Sequence, residues 1–139
     1  MPPFVQGFHT HAYALMRIVA GFLFVCHGAS KLFEFPMPRP EGIPPVVIYI
    51  AGPIELVGGF LVMIGLFAGW AALPCSMLMA FAYWMVHGTM ALFPIQNRGE
   101  LAVLFCFVFL FISSHGSGIW SVDAVLRKKM VAGAVSAES

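Results

Sequence analysis

The sequence predicts an all-α integral membrane protein, a four-helix bundle with its N-terminus and C-terminus both on the cytoplasmic side. Three observations predict it. The first is composition: 60% of the 139 residues are hydrophobic, only 9% are charged, and the mean hydropathy is +0.92. A soluble domain carries about 25% charged residues and about half apolar ones. The second is a set of four apolar runs, each close to the roughly 20 residues that cross a hydrocarbon core about 30 Å thick. The third is that these runs do not alternate apolar with polar. Only helices and closed barrels satisfy every backbone polar group in lipid, so the pattern selects helices.

The first run covers about 12–33 and contains "RIVAGFLFVCHGASKLF". The second covers about 46–68, interrupted only by Glu55, and the third about 70–92. The fourth covers about 100–120 and contains "LAVLFCFVFLFI". Runs two and three are separated by little more than Gly69, which predicts a tight hairpin there. Between runs one and two, "EFPMPRPEGIPP" holds too many prolines to be helical throughout. Pro53 and Pro74 predict kinks. The end of the chain, about 131–139, is small and polar and predicts disorder. The whole chain, 1–139, forms a single membrane domain on this reading. Its N-terminal segment is a retained helix and not a cleaved signal, because Arg17 lies inside the apolar run instead of before it.

Arg127, Lys128 and Lys129 follow run four, and lysine and arginine near span ends favour the cytoplasmic side. The net charge of +1 leaves no basic surface for nucleic acid. The cysteines Cys26, Cys75 and Cys106 are far apart in apolar runs and have no CxxC pair, so they suit small buried hydrophobes better than redox or zinc centres. No nucleophile elbow, HExxH, P-loop or dinucleotide fingerprint occurs. The HxH of His9 and His11 is a weak metal signal, and no metal is expected.

The charged groups inside the runs carry the functional question. At 100° per residue, Arg17, Gly21, Phe24, His27, Gly28 and Lys31 fall within an arc of about 120° on span one. The polar groups thus share a face with glycines that let backbones approach, and that face points into the bundle. Gly52, Glu55 and Gly59 repeat the device on span two, with Gly58 beside them. Ser76, Ala80, Tyr83 and His87 do so on span three. Two clusters follow from depth: His27, Lys31, Glu55, His87, Asn97 and Glu100 from the outer end to mid-membrane, and Arg17, His115 and Asp123 toward the cytoplasmic end. Unpaired charge in a membrane is expensive. The depth matches predict Lys31 with Glu100, His27 or His87 with Glu55, and Arg17 with Asp123. His115 is expected to hydrogen-bond loop backbone. Each group also has a structural reading. Lys31 and Arg17 suit snorkelling to the interfaces, and Glu55 and the histidines suit polar packing as well as ligand or proton handling.

"RIVAGFLFVCHGASKLF", "GPIELVGGFLVMIGLF", "NRGELAVLF" and "GSGIWSVD" occur in that order, and with them the chain resembles the DoxX family of small four-helix membrane proteins. The resemblance spans about 13–125. It implies a four-helix bundle and an association with redox complexes, since some relatives are membrane subunits of thiosulfate:quinone oxidoreductases. It implies no catalytic motif.

Two functions of different class follow. One is an integral subunit of a redox-associated complex in the bacterial inner membrane, binding a quinone near the outer interface through His27, Lys31, His87 and Glu100. The other is a non-catalytic scaffold, or a protein that binds a lipid or small solute. Short loops leave no room for a self-sufficient active site. No cofactor is certain. Quinone fits, and a bis-His haem on His27 and His87 is the minor alternative.

Overall fold

The architecture follows from where each apolar run can end. The computed structural model describes residues 7–39 and 41–137, and among these residues it is helical without strands. Helix α1 (His9–Phe33) has 25 residues and is about 38 Å long, ample for a membrane core. It stops at Glu34, whose left-handed φ of 57° turns the chain while its N–H caps the Ser30 carbonyl. Arg39 then folds back over this end, donating to the Lys31 carbonyl at 3.1 Å and to the Glu34 carboxylate. Ser30 donates to the Met37 carbonyl at 2.8 Å. The proline-rich connection is therefore docked onto the end of α1.

Helix α2 (Val47–Ile64) and helix α3 (Ala68–His87) are the other two elements long and apolar enough to cross a membrane. The hairpin between them sits at Gly65–Phe67, not at Gly69 as the spacing suggested. Gly65 has a φ of +72°, and both its own N–H and that of Leu66 return to the Leu61 carbonyl. This is a glycine-terminated helix end, closed by backbone bonds that hydropathy cannot detect. Gly69 lies instead within α3, close against Ser113. Short helix α4 (Pro94–Asn97) follows the end of α3. Helix α5 (Glu100–His115) is the fourth apolar element, and it is shorter than the predicted 100–120. Its 16 residues span about 24 Å. Beyond it, Gly116 and Gly118 take positive φ and turn the chain. Residues 131–137, for which the sequence predicts disorder, form the last two turns of helix α6 (Val122–Ala137). Residues 138 and 139 lie outside the described set.

Three stretches are wound as π-turns: Val47–Ala51, Ile54–Gly58 and Tyr83–His87. Pro53 stands between the first two and supplies no N–H to an ordinary helical ladder. The widened turns carry Glu55 and His87, and such turns recur at functional sites.

Helix α1 packs chiefly on α2, and α3 chiefly on α5. The first pairing depends on the glycine face read from the sequence. A Cβ at Gly28 would lie 2.4 Å from the Leu56 nitrogen, and one at Gly21 would lie 2.5 Å from the Met63 nitrogen. On α2, Gly59 faces the Gly21 carbonyl, Gly52 faces Leu32, and Gly58 faces the Cys75 sulfur on α3. Phe24, Phe105 and Phe109 close the centre, with Phe24 and Phe109 centroids 4.5 Å apart. Ser76 fastens α3 to α5 through the Cys106 carbonyl at 2.8 Å.

Gly28→Ala is expected to destabilise the bundle by about 1–3 kcal/mol, because the obstacle is backbone and cannot swing aside. Gly133→Ala, which meets no atom within 4 Å, is expected to be neutral or slightly stabilising. Thermal unfolding of both variants in one detergent checks the contrast. Equal melting temperatures would refute the close-approach reading.

Candidate functional site

The polar residues of the inward faces separate into two assemblies, at opposite ends of the bundle. The first surrounds a cavity of about 700 Å³ where α1 and α3 end and α2 and α5 begin. Its wall is mostly apolar, with Phe24, Met79 and Phe105 among the lining residues. Five polar side chains reach it: His27, Lys31, Glu55, His87 and Arg98. Glu55 is 3% exposed. Its Oε2 accepts from the Lys31 ammonium at 2.5 Å, which forms an ion pair across α1 and α2.

That pair replaces two of the pairings expected from depth. Lys31 meets Glu55, not Glu100, because α1 lies along α2 and touches α5 little. Glu100 is exposed at the start of α5 and does not line the cavity. Neither histidine holds Glu55. His27 is exposed toward the cavity and sets its ring edge-on to Phe105, with centroids 6.2 Å apart. His87 is half-buried, and its Nδ1 is hydrogen-bonded to the Asn97 carbonyl oxygen at 2.9 Å.

Asn97 supports this assembly from behind and does not line the cavity. It is 2% exposed. Its amide donates to the Tyr83 hydroxyl and the Ala91 carbonyl, and its side-chain oxygen accepts the Gly99 N–H at 2.8 Å. Tyr83 in turn donates to the Leu92 carbonyl at 3.0 Å. One buried amide thus folds the chain between α3 and α5 so that His87 and Arg98 both face the opening. Arg98 is the lining residue that sequence reasoning missed. It lies between helices, where no helical face marks it in the sequence, and its positive φ of 59° has no sequence signature in an arginine.

The second assembly closes the opposite end. Arg17 is fully buried, yet it does not pair with Asp123. Its guanidinium donates to the Val62 and Met63 carbonyls at 2.6 and 2.8 Å, and to those of Ile119 and Trp120 at 3.4 and 2.7 Å. Val62 and Met63 lie in the last turn of α2, where the Met63 carbonyl lacks a helical partner and the Val62 carbonyl also takes the Gly65 N–H at 3.2 Å. A cation there also faces the negative end of the helix dipole. Asp123 instead accepts the Phe67 N–H at 2.9 Å and the Ser117 hydroxyl at 2.5 Å, at the entry to α3. His115 makes ring contacts, 4.0 Å from the Tyr13 centroid. The bond expected from it to the loop comes from the Tyr13 hydroxyl, which donates to the Gly116 carbonyl.

The family model described as DoxX matches residues 12–88. A Haemophilus influenzae protein named "Uncharacterized protein" is 36% identical over 132 residues, covering 90% of this chain and 98% of its own length. No solved structure matches the chain.

Proposed function

This chain belongs to the DoxX family of membrane proteins, and from that premise we propose that it is a subunit of a redox-associated membrane complex that binds a quinone. The observation that carries the proposal is the Lys31–Glu55 pair set beside His27, His87 and Arg98 in a cavity that is otherwise apolar. Small-molecule sites have this character: about 300–1,000 Å³, mostly apolar, with a few convergent polar groups. A quinone suits it chemically. Its ring and tail are apolar, and its two carbonyl oxygens only accept hydrogen bonds, which lysine and arginine donate.

Lys31, held by Glu55, and Arg98 orient the carbonyls. Phe24 and Phe105 flank the ring and limit water. Reduction of a quinone takes two electrons and two protons. His27, His87 and the Lys31–Glu55 pair can relay the protons, while the electrons come from a partner subunit. On this proposal the cavity opens on the outer side, and both chain ends lie in the cytoplasm of a bacterial cell whose inner membrane holds the complex.

Protein purified from native membranes is expected to yield an extractable quinone, quantified by its ultraviolet difference spectrum on reduction. The yield is expected to fall at least about tenfold in His27→Ala/Lys31→Ala, the loss of about 1.4 kcal/mol of binding. Absence of quinone from both proteins would sink the proposal. Stable co-purifying subunits without quinone would favour a scaffold instead. A Soret band would favour haem on His27 and His87.

A further inference from the structure

A second cavity, of about 800 Å³, opens at the other end of the bundle, between α6, the start of α1 and the end of α5. One face of α6 lines it: Ala124, Arg127, Lys128, Val131 and Ala132 recur at the spacing of adjacent helical turns. Thr10 and His115 stand opposite. No carboxylate lines the cavity among the described residues. Asp123, the nearest in sequence, is engaged by Ser117 and the Phe67 N–H. The Tyr13 and Ser117 hydroxyls that also line it donate to the Gly116 carbonyl and to Asp123, so the site offers two cations, the Thr10 hydroxyl and the His115 imidazole above an apolar floor. The same helix exposes Val125, Leu126 and Met130, as a helix lying at a lipid surface does.

We propose that this cavity binds the phosphate of an anionic membrane lipid, with Arg127 and Lys128 as its ligands and Val131 beside the first carbons of its acyl chains. Basic pockets beside transmembrane helices recognise lipid phosphate by charge and position. An arginine adds a planar fork that matches two phosphate oxygens. The apolar floor favours a lipid over free phosphate, and the excess of positive charge favours an anionic headgroup over a zwitterionic one. Occupancy would also fasten α6 to the bundle, which it otherwise touches little.

The test uses the full chain, reconstituted in phosphatidylcholine bilayers with and without phosphatidylglycerol, and counts the lipids retained by native mass spectrometry. Phosphatidylglycerol is expected to be retained selectively. Its retention is expected to weaken about 30-fold in Arg127→Gln/Lys128→Gln, which removes both charge-assisted contacts to the phosphate. Lys129→Gln removes a neighbouring charge that does not line the cavity and is expected to stay within about twofold. Circular dichroism and thermal melting verify that the variants fold, as the exposure of these positions predicts. An equal loss in Lys129→Gln would overturn the site in favour of diffuse attraction. Equal retention of both lipids would overturn the anionic preference, and displacement by inorganic phosphate alone would overturn the lipid assignment.

Discussion

Arg17→Met is expected to be among the most destabilising single substitutions in the chain, costing about 4 kcal/mol. The side chain is fully buried and holds four carbonyl oxygens from two separate segments, the end of α2 and the turn before α6. Hydrogen bonds to a charged group contribute about 1.5–3 kcal/mol each, and removing the donor strands buried acceptors. The contributions do not add, because the four bonds share one guanidinium. Methionine restores most of the volume, so the loss reports the hydrogen bonds and not a cavity. Arg17→Lys is expected to recover only part of it, since a compact ammonium lacks the planar fork that reaches both segments. Reversible unfolding in mixed micelles would measure both variants. Full recovery with lysine would show that charge alone matters and would refute the geometric account.

The second large effect concerns Lys31 and Glu55. Glu55→Leu leaves the Lys31 ammonium facing an apolar wall, and removing one member of a buried pair costs about 3–5 kcal/mol. Lys31→Met/Glu55→Leu removes both charges, and is expected to return to within about 1 kcal/mol of the wild-type protein, because a buried pair replaced by apolar groups of similar size is often neutral. The double variant should therefore fold normally yet lose the proposed quinone. That combination separates the two readings of the pair. If it retained quinone at the wild-type level, the charges would serve packing only. If it were less stable than either single variant, the pairing in the structure would be wrong.

Much of this arrangement is legible in the sequence. The shared arc of Arg17, Gly21, Gly28 and Lys31 identifies the inward face of α1, and the stripe of Gly52, Glu55 and Gly59 identifies the partner face. Partners are less legible, because depth is not adjacency. Lys31 and Glu100 match in depth, but Glu55 is on the helix that the glycines draw close. Arg17 needs no acid at all, because helix-end carbonyls are acceptors that every sequence carries invisibly. Asp123 is used where a backbone N–H is exposed, which side-chain counting does not reveal. The ends of helices are hidden from hydropathy for a related reason. The apolar run continues through Leu66 and Phe67, while the left-handed conformation of Gly65 ends the helix. At the C-terminal end the small, polar residues from 131 onward carry little helical signal of their own, but they continue a helix begun by favourable helix formers such as Ala124, Leu126, Arg127, Lys128, Lys129 and Met130.

The bond between His87 and Asn97 has one further consequence. A carbonyl oxygen can only accept, so the hydrogen lies on Nδ1 of His87. In the neutral ring, Nε2 then carries the lone pair. This fixes one tautomer and gives the polar lining a handedness: Lys31 and Arg98 donate hydrogens, while His87 can take one. On the proposed function, a quinol hydroxyl would therefore donate to Nε2 of His87, while a quinone carbonyl would accept from Lys31 or Arg98.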